Sequence, residues 1–197
     1  MTGTWGQVAR DWAPIVVAMA ALGFTTFSFW WMHWRVGPLT VAMPSTYAAT
    51  TQANKLILLL PLVFYNAGPV PHVVRDLRLR FADEPSGNQL DFQRIRSGVS
   101  PSHSELIDLA SPFPVPGNEA VRLFCEFQRS PVGRAMDVKS HPLQLEALSD
   151  KRDGWHTLLT FGLNVDSKSA TVMPTNFVAF SNRLESTGRD SEPLPGA

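Results

Sequence analysis

Residues 12–34 run for 23 positions without an Asp, Glu, Lys or Arg. As a helix rising about 1.5 Å per residue, such a stretch is roughly 34 Å long, enough to cross a hydrocarbon core of about 30 Å. Arg10 and Asp11 bracket it on one side and Arg35 on the other. Its interior, APIVVAMAALGFTTFSF, is apolar apart from a few hydroxyls. Thr25 and Thr26 can hydrogen-bond back to the helix backbone, which lowers their cost in lipid. The segment predicts one N-terminal transmembrane helix.

The exit from this stretch reads FSFWWMHWR. A cleaved signal peptide would have a shorter apolar region and small residues at its cleavage site. Met32 and His33 are potential haem or metal ligands, yet neighbours on one helix point about 100° apart and no second ligand cluster converges on them. Trp is favoured at headgroup depth, where its ring is buried and its N–H stays wet. Trp30, Trp31, Trp34 and Arg35 are therefore expected to anchor one membrane interface, and Trp12, with Trp5 beyond it, the other. Arg10 and Arg35 balance in the positive-inside count. A short tail ahead of a large C-terminal portion favours a signal anchor, with the domain outside the cytoplasm. The expected division is a short tail at 1–11, the helix at 12–34, one folded domain at 36–183 and a disordered tail at 184–197. The helix positions Ala18, Ala21, Thr25 and Ser28 form a small-residue face that would permit close helix packing.

The chain of 197 residues has room for one domain beyond the helix. Seventeen basic residues balance seventeen acidic ones, so no net field gathers nucleic acid. The single cysteine, Cys125, excludes an internal disulfide and a multi-cysteine metal cluster.

Beyond Arg35 the hydrophobic period falls to two. VRDLRLRF (74–81), AVRLFCEFQ (120–128) and WHTLLTFGLNV (155–165) alternate apolar and polar residues, as half-buried antiparallel strands do. KLILLLPLVFY (55–65) is apolar on both faces and reads as a central strand, with one edge free or bulged at Pro61. Weaker strands fall at 39–48, 90–96, 143–148 and 176–182. Turns fall at NAGPVP, DEPSGN and SDKRDG. Ser102 and Glu105 stand at capping-box spacing and suggest a short helix. About eight short strands argue an all-β fold, an antiparallel β-sandwich behind the transmembrane helix. Trp155 is the expected large residue at its centre.

The stretch LPLVFYNAGPVPHVVRDLRLRF resembles the strand–turn–strand of immunoglobulin-like and fibronectin type III-like sandwiches in bacterial envelope proteins. Its local motif is Tyr65-Asn66-Ala67-Gly68 ahead of alternating strands, and the immunoglobulin cysteine pair is absent. The resemblance implies an Ig-like architecture and no catalytic residues.

The five histidines, His33, His72, His103, His141 and His156, show none of the close spacings of common metal sites. A blue-copper site needs Cys, His and Met close together on one loop, whereas His141 is sixteen residues from Cys125 with Met136 between. Cys125 belongs to the apolar face of its strand. Ser102-His103-Ser104 is adjacency without an oriented triad, and a Cys125–His141 dyad has no support from spacing. There is no nucleophile elbow and no phosphate-binding glycine loop. No catalytic, cofactor-binding or metal residue is expected. Arg75, Arg78, Arg80, Arg94 and Arg96 crowd into two strands and make a candidate face for an acidic partner. The loop ASPFPVPGN (110–118) offers a second, built on an exposed Phe113. The expected function is non-catalytic: a single-pass, membrane-anchored domain displaying a surface to a protein or an envelope polymer. An anchored enzyme or metal-binding domain is the alternative, and it would require His72, His103, His141 or His156 to cluster.

Overall fold

The computed structural model describes residues 4–51, 54–84, 88–98, 107–130 and 136–183. The expected helix around Ser102, His103 and the C-terminal tail lie outside them. One helix, α1 (Thr4–His33), opens the chain and begins well inside the stretch read as a tail. Its segment Trp12–His33 is long and apolar enough to cross a membrane, and none of it is buried by the rest of the protein. The hydroxyls of Thr25 and Thr26 donate to the Ala21 and Leu22 carbonyls at 2.8 and 2.9 Å, so neither needs another partner. Pro14 withholds an N–H from the helix interior.

Among the described residues eleven strands follow: β1 (Leu39–Ala42), β2 (Thr46–Thr50), β3 (Leu56–Asn66), β4 (His72–Phe81), β5 (Gln89–Arg96), β6 (Ile107–Leu109), β7 (Phe113–Val115), β8 (Ala120–Arg129), β9 (Ser140–Ser149), β10 (Trp155–Asn164) and β11 (Val178–Ser181). A short helix, α2 (Ser167–Val172), precedes β11. The strands form one sheet in the order β10-β9-β4-β5-β8-β3-β2-β11, with β1, β6 and β7 paired to β3, β5 and β4. Every ladder among the described residues is antiparallel. The sheet curls into a half-barrel around its apolar face. The expected division into two separate Ig-like sheets is not seen among the described residues.

The run 55–65 is central, as its two apolar faces require. β3 pairs with β8 along its length and, on its other side, with β2 at residues 57–59 and β1 at residues 63–66. Pro61 falls in the gap between those two partners, where no ladder hydrogen bond is asked of it. The predicted strand at 39–48 is interrupted by Met43-Pro44-Ser45 and becomes β1 and β2.

Among the described residues, three bulges reset which side chains face the core. In β10 the register shifts between Thr157 and Leu159, so Trp155 and Thr157 stand opposite the outward Leu148 and Glu146, while Leu159 and Phe161 stand opposite the inward Leu145 and Leu143. Trp155 is consequently 36% exposed on the outer face and not the centre of the core. The Arg78 guanidinium stacks on its ring at 4.2 Å. Shifts between Val74 and Asp76, and between Phe92 and Arg94, do the same in β4 and β5. An extra residue in a strand reverses the alternation beyond it, which no period-two reading of one strand anticipates.

The core lies inside the curl. Tyr47, Leu58, Leu60, Leu62 and Phe64 meet Leu77, Leu79, Phe81, Leu90, Phe127, Leu143, Leu145 and Leu163 there, all essentially inaccessible to water. Phe113, expected to be exposed, is 7% exposed and makes an edge contact with Phe64 at 5.1 Å between ring centres.

Asparagines stitch the edge strand β10 to the opposite edge of the curl. The buried Asn182, just after β11, accepts from the Asn164 N–H at 2.9 Å and donates to the Gly162 and Pro44 carbonyls at 3.1 and 3.0 Å. Asn164 donates back to the Asn182 carbonyl, and the Tyr47 hydroxyl donates to the Asn164 carbonyl at 2.8 Å. These bonds satisfy backbone groups that an open sheet would leave to water.

Candidate functional site

The apolar helix α1 and the sheet are joined without slack. Trp34 still donates to the Trp30 carbonyl at 2.9 Å, continuing the last helical turn. Arg35 then folds back, its guanidinium 4.6 Å from the centre of the Trp31 ring, and donates to the Ala67 carbonyl at 2.9 Å. Trp12, Trp30 and Trp31 are exposed on α1, and Trp34 is exposed just beyond its end.

The turn that receives Arg35 is the Tyr65-Asn66-Ala67-Gly68 motif. Asn66 Oδ1 accepts from the Gly68 N–H at 2.9 Å, an Asx-type turn, and Asn66 Nδ2 donates to the Val70 and Pro116 carbonyls at 2.8 and 3.1 Å. Gly37 and Gly68 lie backbone against backbone, with no room for a Cβ on either. The Ala67 N–H donates to the Pro38 carbonyl at 3.2 Å. His72 Nε2 lies 2.9 Å from the Gly37 carbonyl, which can only accept, so this nitrogen carries the proton. Arg35, Gly37 and Pro38 are thereby tied to the base of the sheet.

The arginine face is present but partly neutralised from within. β4 and β5 are neighbours as expected, paired from Arg78↔Asp91 to Arg80↔Gln89. Beyond that, β4 turns to β7 and β5 to β6 and β8, so Arg94 and Arg96 diverge from Arg75. Arg78 and Arg80 both engage Glu146 of β9, and Arg96 engages Glu126 of β8, which also accepts from Gln128. Arg129 bridges to Glu84 at 2.7 Å. Arg75, thrown outward by its bulge, and Arg94 make no ion pair among the described residues. Three of the five arginines, Arg78, Arg80 and Arg96, are thus neutralised by glutamates of neighbouring strands.

A cavity of about 320 Å³ opens where α1 meets the sheet. One wall is the junction itself, residues 36–39. The other is the end of β9, the β9–β10 turn and the bulge of β10: Ser149, Lys151, Arg152, His156, Thr157 and Leu158, with His72 between. The seam between β10 and the β1–β2 edge is clasped by Asn182 at one end and gapes here at the other. His72 Nδ1 and His156 Nδ1 are both buried without a hydrogen-bond partner. The nearby carboxylate, Asp150, is occupied: it accepts from the Val73 N–H at 2.9 Å and sits 3.0 Å from Lys151. Burial pushes the Asp150 carboxyl up, but the Val73 N–H, Lys151 and His72 outweigh this and hold it below its ordinary value.

Two of the four histidines on which an enzymatic reading depended therefore share a cavity. His141 is elsewhere, buried with Nε2 3.0 Å from the Asp137 carbonyl and its ring edge-on to Phe81. His103 lies outside the described residues. Among the described residues no three His, Cys, Asp or Glu side chains are grouped to hold a metal. Cys125 is enclosed in the core, where burial pushes its thiol well above the ordinary range. Sequence reasoning missed Lys151 and Arg152, read only as turn residues, because the cavity exists only once the curl brings their turn to the helix exit.

No protein-family model matches the chain, and a search of curated proteins finds no match. Among solved structures, the crystal structure of a protein from Archaeoglobus fulgidus aligns with 76% of this chain and 99% of its own, at 9% identity and a TM-score of 0.34. A likeness of that extent carries no argument about function.

Proposed function

We propose that this chain is a single-pass membrane protein that holds a non-catalytic binding domain hard against the bilayer surface, on the side away from the cytoplasm. The observation that carries this reading is the docked junction: an exposed apolar helix whose last turn is locked onto the sheet through Arg35 and Gly37. A flexible linker would let the domain roam, whereas this one restricts it to a single attitude near the headgroups. A protein or an envelope polymer is the partner we favour, and an Ig-like kinship of the sheet would suit such display. The paired glutamates leave the arginine face poorly suited to an acidic partner, so the membrane-proximal end is the better candidate surface.

The test is a pair of fusions placed after residue 197, one to a reporter active only outside the cytoplasm and one to a reporter active only inside. Activity of the first, with the protein retained in membranes through alkaline carbonate washing, is expected. Activity of the second would reverse the orientation, and release by carbonate would end the anchored reading.

A further inference from the structure

We infer that the base of the sheet is itself a membrane-contacting surface: the loops around the helix exit sit among lipid headgroups, a second contact beside α1. This inference rests on the membrane-anchored reading and names lipid as what covers those loops.

Three stretches interlock at the base: residues 35–38 after α1, the β3–β4 turn at 66–71 and the β7–β8 turn at 116–119. The Asn66 N–H donates to the Glu119 carbonyl at 3.0 Å, the Ala67 N–H to that of Pro38 and the Asn118 N–H to that of Gly68 at 2.9 Å. Gly117 leaves no room for a Cβ against Pro69. The three form one block, which Arg35 ties to the last turn of α1. The apolar span of α1 is not buried by the domain, so the helix projects away from it. A bilayer that α1 leaves at Trp34 meets this block next.

Composition separates the two ends of the sheet. Around the far end, charged residues flank the strands: Lys55, Glu84, Asp137, Lys139 and Asp166. The block instead presents Val36, Pro38, Val70 and Pro71, exposed or half-buried, and Arg35 and Glu119 are its only charges. Tyr65, 47% exposed at the end of β3, adds a ring of the kind favoured at headgroup depth. The charged β9–β10 turn lies across the cavity from residues 36–39 and stays in water, open to a soluble partner.

The backbone of the block is suited to the same place. A chain that leaves water must satisfy its N–H and C=O groups from within. Pro38, Pro69, Pro71 and Pro116 have no N–H to satisfy. The carbonyls of Gly37, Ala67, Val70 and Pro116 accept from the side chains of His72, Arg35 and Asn66. Those of Pro38, Gly68 and Glu119 accept from the block's own amides. These groups keep their partners where water is scarce.

The experiment uses the full-length chain in phosphatidylcholine nanodiscs, with single introduced cysteines carrying a bimane fluorophore. Cys125 is enclosed in the core and stays unlabelled. Pro71→Cys and Glu119→Cys report on two loops of the block. Val138→Cys, at a 57% exposed position ahead of β9 at the far end, reports on water, and Phe29→Cys reports on α1. The quencher is phosphatidylcholine bearing a nitroxide high on its acyl chain, because apolar segments in a bilayer surface sink about 5–10 Å into it. Quenching several-fold stronger at Pro71→Cys and Glu119→Cys than at Val138→Cys is expected. Quenching at both as weak as at Val138→Cys, with Phe29→Cys strongly quenched, would overturn the inference and leave the anchored reading standing. An unquenched Phe29→Cys would remove the anchored reading and this inference with it. Val36→Asp, at an exposed position outside every ladder, puts a charge on the contact and should lower quenching at Glu119→Cys by about twofold or more while the domain keeps its Tm. Unchanged quenching in that variant would overturn an apolar seat.

Discussion

Gly37 and Gly68 touch through their backbones, the first three residues beyond Trp34 and the second in the turn after β3. A Cβ on Gly37 would overlap the Gly68 backbone nitrogen, and one on Gly68 would overlap that of Gly37. Neither neighbour is a flexible side chain that can move aside. The helix is thus aimed by a contact that only glycine permits.

Gly37→Ala or Gly68→Ala should therefore pry the junction apart. Overpacking of this kind costs about 1–3 kcal/mol. For a domain of this size each kcal/mol lowers Tm by roughly 2–4 °C. Limited proteolysis should open a new cleavage near residues 35–38 in either variant. If both alanine variants kept the parent's Tm and resisted cleavage there, the docked junction would be refuted.

The Asn182 clasp makes a second prediction. Its amide serves Asn164, Gly162 and Pro44 at once, and it is nearly inaccessible. Asn182→Ala strands several buried backbone groups, at about 1–3 kcal/mol each where water cannot replace the bond. A loss of about 2–4 kcal/mol in urea unfolding is expected. Asn182→Asp should do no better, since a carboxylate cannot donate to two carbonyls. Equal midpoints for parent and alanine variant would show that the sheet closes without the clasp.

What could be read in advance, and what could not, divides along a physical line. The long apolar helix and β3 were legible because their signals are local: unbroken apolar length in one, two apolar faces in the other. Pro61 even announced its free edge. Trp155 was misplaced because a bulge near Leu158 reverses the faces of β10, and a bulge is decided by the partner strand. The arginines of β4 and β5 were found, yet their neutralisation depends on Glu146 and Glu126 from strands distant in sequence. His72, His156, Lys151 and Arg152 share no spacing at all. Only the curl of the sheet assembles them.

Glu126 tests the internal neutralisation. It is 1% exposed and takes charge-assisted bonds from Arg96 and Gln128. Breaking one side of a buried pair costs about 3–5 kcal/mol, because the other charge stays behind. Glu126→Gln should destabilise by an amount approaching that range. The paired change Arg96→Met/Glu126→Leu should recover most of it. A double variant no more stable than Glu126→Gln alone would mean that the pair is not an isolated unit.

Cys125 is predicted to be inert in the folded protein. It is fully buried between β3 and β5, opposite Leu60 and Ile95. Burial raises its thiol above the ordinary value, so little thiolate exists near neutral pH. A chromogenic disulfide reagent should react negligibly in native buffer and stoichiometrically in denaturant. Fast native reaction would place the thiol outside the core. Cys125→Ser should cost about 1–3 kcal/mol, since a hydroxyl in that setting lacks a partner.

Asp150 gives a pH dependence whose sign can be worked out. Burial raises this carboxyl, but the Val73 N–H, Lys151 and His72 prevail and leave it below its ordinary 3.8 in the folded protein. A depressed folded value means that the unfolded chain takes up the proton first on acidification. The stabilisation is therefore complete above about pH 4 and is lost as pH falls through the lower folded value. Because the group is partly solvated, the effect should not exceed about 1 kcal/mol. Asp150→Asn retains an acceptor for Val73 and removes the charge, so it isolates the electrostatic part. Urea midpoints of the parent and this variant should differ at pH 5 and converge toward pH 2.5. A gap that stayed constant across that interval would mean the carboxylate contributes through hydrogen bonding alone.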